Sequence, residues 1–318
     1  MVQNETMMSN EILLSANSIC KYFKLKGKIF KAVDEASFFI TPGIICGFVG
    51  PNGAGKTTTI KMIVGATFPT KGEIFILGHR VSSLEAKKFL GYIPEKFVFY
   101  DDMLPREYLI YLANLSGIEG KEARARADEL LKMLELYEHR HKKIKNFSSG
   151  MKQKLNLAQA IIHQPRLLIL DEPTANLDPP AKKQFFEILK ELVAERKISI
   201  LISSHHLEEL ERVIDKVVII NKGKILLDSF MKDLSLEDRI EIACSNPQKI
   251  MYLIRRNLNL PVWFENGKIF INVGGYNSEE IRKELSKLII GSGEAIIEIT
   301  TKKESLDKLF FKLVGDGK

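Results

Sequence analysis

Short apolar runs alternate with amphipathic stretches along most of the chain. Residues 44–49, 167–170, 198–202 and 217–220 are continuously apolar, which is typical of strands buried on both faces of a parallel sheet. Within 181–196 the apolar side chains recur at helical spacing, namely Phe185, Phe186, Ile188, Leu189, Leu192 and Val193. Buried strands that alternate with amphipathic helices predict an α/β core with a mainly parallel sheet.

The character of the chain changes twice. From about residue 103 to 163 only helical periodicity is found, which predicts a helical insertion into the α/β core. After residue 230 the pattern predicts a strand at 238–243, a helix at 247–257, a hairpin of 262–264 and 269–271 through Asn266-Gly267, a helix at 278–289, a strand at 295–299 and a helix at 304–314. This βαββαβ order plus one helix is that of a small ferredoxin-like α+β domain. We therefore predict two domains, 1–230 and 231–318, with a helical subdomain at about 103–163.

Composition and charge narrow the function classes only a little. The 318 residues are 45% hydrophobic and 27% charged, which suits a chain that buries a core and excludes a disordered or fibrous one. The 47 Lys and Arg residues exceed the 40 Asp and Glu residues, so the net charge is +7. A solvated, Lys-rich surface accounts for this excess, and a nucleic-acid or membrane-surface patch is the alternative.

The cysteine spacing argues against disulfide or zinc cross-links, and the hydropathy argues against a membrane span. Cys20, Cys46 and Cys244 lie far apart, which argues against a disulfide framework or a thiolate zinc site and fits a reducing compartment. No apolar run approaches the roughly 18 residues that cross a bilayer. Residues 1–17 lack the basic and apolar regions of a signal peptide. We therefore expect neither a span nor a covalent membrane anchor.

A glycine-rich loop follows the first predicted parallel strand and precedes a helical stretch. It fits the pattern G-x-x-x-x-G-K-[ST] through Gly50, Pro51, Asn52, Gly53, Ala54, Gly55, Lys56, Thr57 and Thr58. Glycines let backbone N–H groups turn inward around phosphate oxygens, and the helix N-terminus adds its partial positive charge. This P-loop predicts a nucleotide site in which Lys56 reaches the β- and γ-phosphates and the Thr57 hydroxyl ligates Mg²⁺.

Two further strands end in residues that suit nucleotide hydrolysis. The run 167–170 leads into Asp171 and Glu172, and we predict that Asp171 holds Mg²⁺ while Glu172 acts as general base on the attacking water. The run 198–202 leads into His205 through two serines. Ligands lie at the carboxyl edge of open parallel sheets, so we predict that His205 contacts the γ-phosphate.

A second candidate phosphate site opens a later helix. Ser148, Ser149 and Gly150 precede the apolar periodicity of that helix, and a helix N-terminus attracts anions. The N-K-x-D motif with which GTPases read guanine is absent, because residues 221–224 read Asn-Lys-Gly-Lys. The P-loop, this loop and the strand ending in Asp-Glu follow one another in an order that resembles the ATP-binding cassette (ABC) family, whose signature is L-S-G-G-Q. The resemblance covers roughly residues 11–230.

The resemblance implies an ATP-hydrolysing subunit that binds ATP and Mg²⁺. In that family each ATP is clamped between the P-loop of one subunit and the signature of another, head to tail, so a homodimer is expected here. By position, the resemblance implies that Phe23 stacks on adenine, with Tyr22 as the fallback; ordinary strand aromatics are the alternative. Asp178 matches the loop that crosses the dimer interface. Glu95 stands where the family has a Gln, and the resemblance implies that it approaches Mg²⁺ or water.

Other motifs resemble one branch of the family, the separate ATPase subunits of exporters whose permeases have six helices. These motifs are the loop 91–95, the run 203–209 and the ending 305–310. The resemblance implies a cytoplasmic subunit on the inner face of the cell membrane, with an ATPase domain at 1–230 and an accessory or dimerisation domain at 231–318. It also implies a permease-binding groove at the apolar stretch 97–100, for which core packing is the alternative.

A second hypothesis is a soluble ABC ATPase that acts on nucleic acid or ribosomes. The basic stretch 139–145, His-Arg-His-Lys-Lys-Ile-Lys, prompts it. Soluble relatives of that kind carry either a long coiled-coil insertion or two cassettes in one chain, and neither is found in this sequence. The transport reading is therefore favoured, and no nucleic acid is expected as a partner.

Overall fold

The structure falls into two compact units. It is a computed structural model, and it describes residues 12–25, 27–234, 238–258, 260–273, 278–303, 310 and 313–314. The units are Met1–Met231 and Lys232–Lys318, so the division lies one residue from the predicted boundary of 230/231. The roles predicted for the two halves remain predictions.

A six-stranded sheet forms the centre of the first unit. In the order in which they pair, its strands are β10 (Lys224–Phe230), β9 (Lys216–Asn221), β3 (Ile45–Val49), β8 (Ser199–Ser204), β7 (Leu167–Asp171) and β6 (Leu90–Ile93). All neighbours run parallel except β9 and β10. Every residue of β3, β7 and β8 is buried, as continuous apolar runs predict. The expected α/β core with a mainly parallel sheet is confirmed.

A four-stranded antiparallel sheet, which the sequence pattern does not predict, completes the first unit. Its order is β2 (Lys28–Ile40), β1 (Leu14–Leu25), β4 (Lys71–Ile76) and β5 (His79–Arg80). The β1–β2 register shifts at several points, and Ser18 and Glu35 adopt left-handed backbone conformations. Such irregularities break the two-residue alternation that identifies a strand. Buried side chains from both sheets form one core, with Leu14, Ile40, Phe48 and Ile76 among them.

Helices surround the parallel sheet and also form the predicted insertion. Those outside the insertion are α1 (Lys56–Ile63), α2 (Leu84–Lys88), α6 (Pro179–Arg196) and α7 (Leu207–Leu210). The insertion consists of α3 (Pro105–Leu115), α4 (Gly120–Met133), α5 (Ser149–Ile161) and 3₁₀ turns at Tyr137–His139 and Ile144–Asn146. No strand lies between residues 103 and 163, all of which are described, so the helical insertion is confirmed. Within the described parts of the chain, no helix combines the length and apolarity needed to cross a membrane.

The second unit follows the predicted βαββαβ order. Its elements are β11 (Asp238–Cys244), α8 (Pro247–Leu258), β12 (Val262–Glu265), β13 (Lys268–Asn272), α9 (Ser278–Ser292) and β14 (Ile296–Lys303). The sheet is antiparallel in the order β12-β13-β11-β14. Asn266 and Gly267 both have positive φ angles, of 48° and 79°, as the tight hairpin turn requires. The helix predicted at 304–314 and the motif at 305–310 lie largely outside the described residues.

Candidate functional site

The glycine-rich loop joins β3 to α1 at the carboxyl edge of the parallel sheet. Gly53 and Gly55 have φ angles of +79° and +110°, conformations that glycine adopts far more readily than other residues. A Cβ atom at Gly50 would lie 2.2 Å from the carbonyl oxygen of Ile220, and one at Gly55 would lie 2.6 Å from that of Ala32. The backbone of the loop therefore lies too close to β9 and β2 to leave room for a side chain at Gly50 or Gly55.

An open cavity of about 380 Å³ lies over this loop. Its lining combines loop residues with side chains from three other strand ends. The lining residues are Phe30, Ala32, Pro51, Asn52, Gly53, Gly55, Lys56, Thr57, Thr58, Glu95, Glu172, Ala175 and His205. The structure thus brings most of the predicted nucleotide-binding residues together with both predicted catalytic residues.

Charged groups meet at the floor of this P-loop cavity. The Lys56 side chain is only 6% exposed, and its Nζ donates to the carbonyl oxygens of Gly50 at 2.6 Å and Pro51 at 3.4 Å. The same Nζ lies 3.3 Å from Oε1 of Glu172. The other carboxylate oxygen of Glu172, Oε2, lies 2.9 Å from Nδ1 of His205. A cation, a carboxylate and an imidazole are therefore linked in one chain of contacts.

Asp171 and Glu172 are positioned by the neighbouring strand β8. Ser203 donates from Oγ to Oδ1 of Asp171 at 2.7 Å, and the same Oγ accepts from the Glu172 backbone N–H at 2.9 Å. Glu172 has a φ of +49°, a rare conformation for a residue with a side chain. Burial raises the pKa of Asp171, while hydrogen bonds with the Ser203 and Thr57 hydroxyls oppose that rise. The sequence did not identify Ser203 as a partner of these two acids, although Ser203 begins the motif at 203–209.

The aromatic residue in the P-loop cavity differs from the one expected. Phe30 on β2 lines the cavity, whereas the predicted Phe23 on β1 is not among the described residues that do. The two are directly opposed across the β1–β2 pair, and they are 41% exposed at Phe23 and 53% at Phe30. The fallback residue, Tyr22, donates from its hydroxyl to Asp34 at 2.8 Å. A β1–β2 pairing would have pointed to Phe30, but the sequence did not predict these strands.

The predicted signature residues lie in a different cavity of about 350 Å³. Ser148 caps α5, because its Oγ accepts from the Met151 backbone N–H at 3.3 Å. Ser148, Ser149, Gly150 and Asp178 all line this signature cavity, and none of them lines the P-loop cavity. Asp178 also caps α6 by accepting from the Ala181 backbone N–H at 2.8 Å. Within one chain the two predicted phosphate sites are therefore separate.

Glu95 follows β6 and belongs to two cavities. It lines the P-loop cavity, and it also lines a smaller one of about 170 Å³ together with Ser149 and Glu172. Its neighbours in the stretch 97–100 are mixed in exposure: Val98 is 93% exposed and Tyr100 59%, whereas Phe99 is buried. Core packing therefore accounts for Phe99 but not for Val98 or Tyr100.

Comparisons with known proteins agree with this geometry. A family model described as ABC transporter matches residues 33–175, and a second, described as an AAA domain of a type IV TA system, matches 143–211. The bacitracin transport ATP-binding protein BcrA of Bacillus licheniformis is 37% identical over 291 residues, which are 90% of this chain and 94% of that protein.

Solved structures match the same fold. A structure described as the ATP-binding subunit of an ABC transporter is 28% identical with a TM-score of 0.62, over 86% of this chain and 99% of its own. A dimeric, post-hydrolysis ATP-binding cassette bound to ADP and phosphate has a TM-score of 0.63 at 23% identity, over 70% of this chain and all of its own. The second likeness concerns the fold alone.

Proposed function

Because the chain belongs to the ABC transporter family, as an ATP-binding subunit, we propose that it hydrolyses ATP in the P-loop cavity. We further propose that two copies, arranged head to tail, use this reaction to drive export through a separate membrane permease. One observation carries the proposal: the Glu172 carboxylate faces the P-loop cavity and is held there between Lys56 and His205. Binding alone would not require a carboxylate at that position.

The residues around the P-loop cavity fit ATP and Mg²⁺. The Thr57 hydroxyl is close enough to the Asp171 carboxylate to lower its pKa, and both groups supply the hard oxygen ligands that Mg²⁺ prefers. Among the described residues, no group of three or more His, Cys, Asp or Glu side chains could hold a metal alone. Mg²⁺ typically shares its ligands between one or two carboxylates and the substrate phosphates, and Glu95 would be the second carboxylate. Bound Mg²⁺ neutralises charge on the phosphates.

Glu172 would accept a proton from the attacking water. In this structure the Lys56 amine donates hydrogen bonds to carbonyl oxygens of the loop and forms an ion pair with Glu172. Phosphate oxygens at the loop would compete for that amine through charge-assisted hydrogen bonds and leave Oε1 of Glu172 free. The water oxygen then attacks the γ-phosphorus, its proton passes to Glu172, and the bond to the ADP leaving oxygen breaks. His205 holds the second carboxylate oxygen and faces the γ-phosphate.

A second copy would complete each site. The signature residues Ser148, Ser149 and Gly150 are separated from the P-loop cavity of their own chain, so they are available to a nucleotide held elsewhere. The N-terminus of α5 offers backbone N–H groups to an anion. A head-to-tail dimer places this edge over the partner's P-loop, with Asp178 at the interface. The dimeric state of a cassette with the same fold supports this arrangement.

The task of the ATPase is export, with a permease as partner. BcrA, whose name describes bacitracin transport, is the relative that supports this assignment. The side chains of Val98, Tyr100, Tyr111 and Leu115 are exposed, and the rings of Tyr100 and Tyr111 contact each other with centroids 6.0 Å apart. We assign this apolar region, which includes part of α3, to binding a segment of a six-helix permease. The chain would then work in the cytoplasm, on the inner face of the membrane.

The alternative, an ATPase acting on nucleic acid or ribosomes, gains no support from the basic stretch 139–145. Lys143 and Lys145 lie 3.3 and 2.8 Å from Oδ1 of Asp102, and these contacts lower the pKa of that carboxyl. Lys152 also faces Asp101, at 3.8 Å. Part of the basic charge is thus balanced within the chain. We therefore propose no second function.

The Glu172→Gln variant tests the proposed hydrolysis. Removing the general base should slow ATP turnover at least about 100-fold, while MgATP binding persists and ATP-dependent dimers accumulate on gel filtration. Glu191, exposed on α6, offers the matched control Glu191→Gln, which should hydrolyse ATP at the wild-type rate. Wild-type turnover in Glu172→Gln would remove Glu172 from the mechanism.

The Lys56→Ala variant tests the nucleotide site itself. Lys56 is buried and directed into the loop, so its loss removes a desolvated, charge-assisted contact with the phosphates. ATP affinity, measured by isothermal titration calorimetry, should fall at least about 10-fold. Unchanged affinity would contradict the P-loop assignment.

A further inference from the structure

A buried amide behind the signature residues lacks a hydrogen-bond partner. Gln153 lies on α5 and is only 5% exposed. Its Nε2 atom is buried and forms no hydrogen bond within the described part of the chain. Buried side-chain donors are bonded in the large majority of cases, because an unpaired one keeps the full desolvation penalty. The Gln153 amide is therefore a donor that awaits an acceptor.

The position of Gln153 limits which groups could accept a hydrogen bond from its amide. Gln153 lines the signature cavity together with Ser148, and it also lines the 170 Å³ cavity together with Glu95 and Glu172. Ser149 and Leu177 also line both cavities, but of these three residues only Gln153 has a buried side-chain polar atom without a hydrogen-bond partner.

Glu95 is the acceptor that suits this donor best. In this structure Lys56 and His205 engage the two oxygens of Glu172, and the proposed reaction requires Oε1 of Glu172 for the attacking water. Lys152, which also lines the small cavity, has no acceptor atom on its side chain. Glu95 forms no hydrogen bond or ion pair with any described residue. A carboxylate gives a stronger bond to an amide N–H than the neutral oxygens of Ser149 or Asn176 would.

We propose that Gln153 is a positioning residue that donates from its amide to Glu95 and so fixes the direction of that carboxylate in the P-loop cavity. The inference rests on the proposed function, because Glu95 matters only if this cavity binds MgATP. The bond orients one oxygen of Glu95 and leaves the other toward the nucleotide. It also ties the loop after β6 to the helix that carries the signature of the same chain.

The test is a double-mutant cycle that reverses the pair. Gln153→Glu places a second carboxylate beside Glu95, and we expect kcat/KM for ATP to fall about 10-fold or more, mostly through kcat. Glu95→Gln alone should also lower kcat/KM. In Glu95→Gln with Gln153→Glu, an amide again faces a carboxylate, with the direction exchanged. This double variant should be more active than Gln153→Glu alone, by about 5-fold or more.

A control separates coupling from added charge. Asn114 is exposed on α3 and lines none of the three cavities, so Asn114→Asp combined with Glu95→Gln should give additive effects. Melting temperatures check that each variant folds. Additive losses for the changes at 95 and 153 would overturn the proposal, as would a Gln153→Leu variant that keeps wild-type kcat and KM.

The same cycle, read by binding, distinguishes this inference from the proposed function. The rise in melting temperature on adding MgATP reports binding without hydrolysis. A wild-type chain that binds MgATP but does not hydrolyse it would contradict the proposed function, and non-additive temperature shifts would still support the pair. The opposite result is ATP turnover that depends on Glu172, with additive effects at positions 95 and 153 on both the turnover and the MgATP-induced rise in melting temperature. That result would contradict the contact between Gln153 and Glu95 but not the proposed function.

Discussion

We predict that the purine ring of ATP stacks on Phe30, and truncation of the Phe30 side chain tests this assignment. Phe30 lines the P-loop cavity and is 53% exposed, whereas Phe23, opposite on β1, is not among the described lining residues. We expect Phe30→Ala to weaken ATP binding more than Phe23→Ala. Ile29, which is 70% exposed and does not line the cavity, provides the control Ile29→Ala.

The exposed area of the ring sets the magnitude. A Phe side chain carries about 200 Å² of surface, so roughly half of that, about 100 Å², is free at Phe30 for a base to cover. Covering half to all of this exposed area, about 50 to 100 Å², is worth about 1.3 to 2.5 kcal/mol. This range agrees with about 1–3 kcal/mol for stacking of one base on an aromatic side chain. The dissociation constant should therefore rise about 10- to 70-fold in Phe30→Ala.

Isothermal titration calorimetry with ATP at fixed Mg²⁺ measures this difference. A half-exposed ring contributes little to the core, so the melting temperature of Phe30→Ala should stay near that of the wild type. If Phe23→Ala loses the affinity while Phe30→Ala resembles Ile29→Ala, the assignment to Phe30 is refuted. In that case the purine stacks on Phe23, the residue that the family resemblance implies.

Two further predictions concern the loop and the insertion. Gly55→Ala should melt at a lower temperature and bind ATP more weakly than Gly53→Ala, because a Cβ at Gly55 meets the Ala32 carbonyl at 2.6 Å while Gly53 faces open space; equal effects would contradict the packing described for the loop. Asp128→Asn should cost about 1 kcal/mol of unfolding free energy at pH 7 by breaking the two-pronged contact from Arg106. Hydrogen bonds from Arg106 lower the pKa of Asp128, so this contribution is present above about pH 4 and is lost as the pH falls through the lowered pKa. Urea unfolding from pH 7 down to pH 3 measures the difference between variant and wild type, and a difference that does not shrink over that range would contradict the ion pair.

The parts of the fold that are buried on both faces could be predicted from the sequence. The strands β3, β7 and β8 read as unbroken apolar runs because no face of theirs meets water. The antiparallel sheet could not be predicted, because register shifts between β1 and β2 interrupt the alternation of apolar and polar positions. For the same reason the sequence did not predict that Phe30 lies opposite Phe23 and lines the P-loop cavity.

The chemistry of the site was predictable where it is local in sequence. The P-loop spacing and the adjacent acids Asp171 and Glu172 can be recognised without a fold. Contacts that join distant segments could not be found that way. Ser203 supports both acids from the neighbouring strand β8, and Gln153 borders Glu95 only because α5 folds back beside the loop after β6.

The most direct test of the account is complementation between two inactive variants. A side chain at Gly150 would meet only the Ala181 Cβ at 3.8 Å, so Gly150→Asp should fold, yet repel the phosphates held by the other copy. Lys56→Ala instead disables the P-loop. Each variant alone should be inactive, whereas an equal mixture should recover about a quarter of wild-type ATP turnover, since half of the dimers then hold one intact site. Wild-type turnover by Gly150→Asp alone, or a mixture no more active than its parts, would contradict a site shared between two copies.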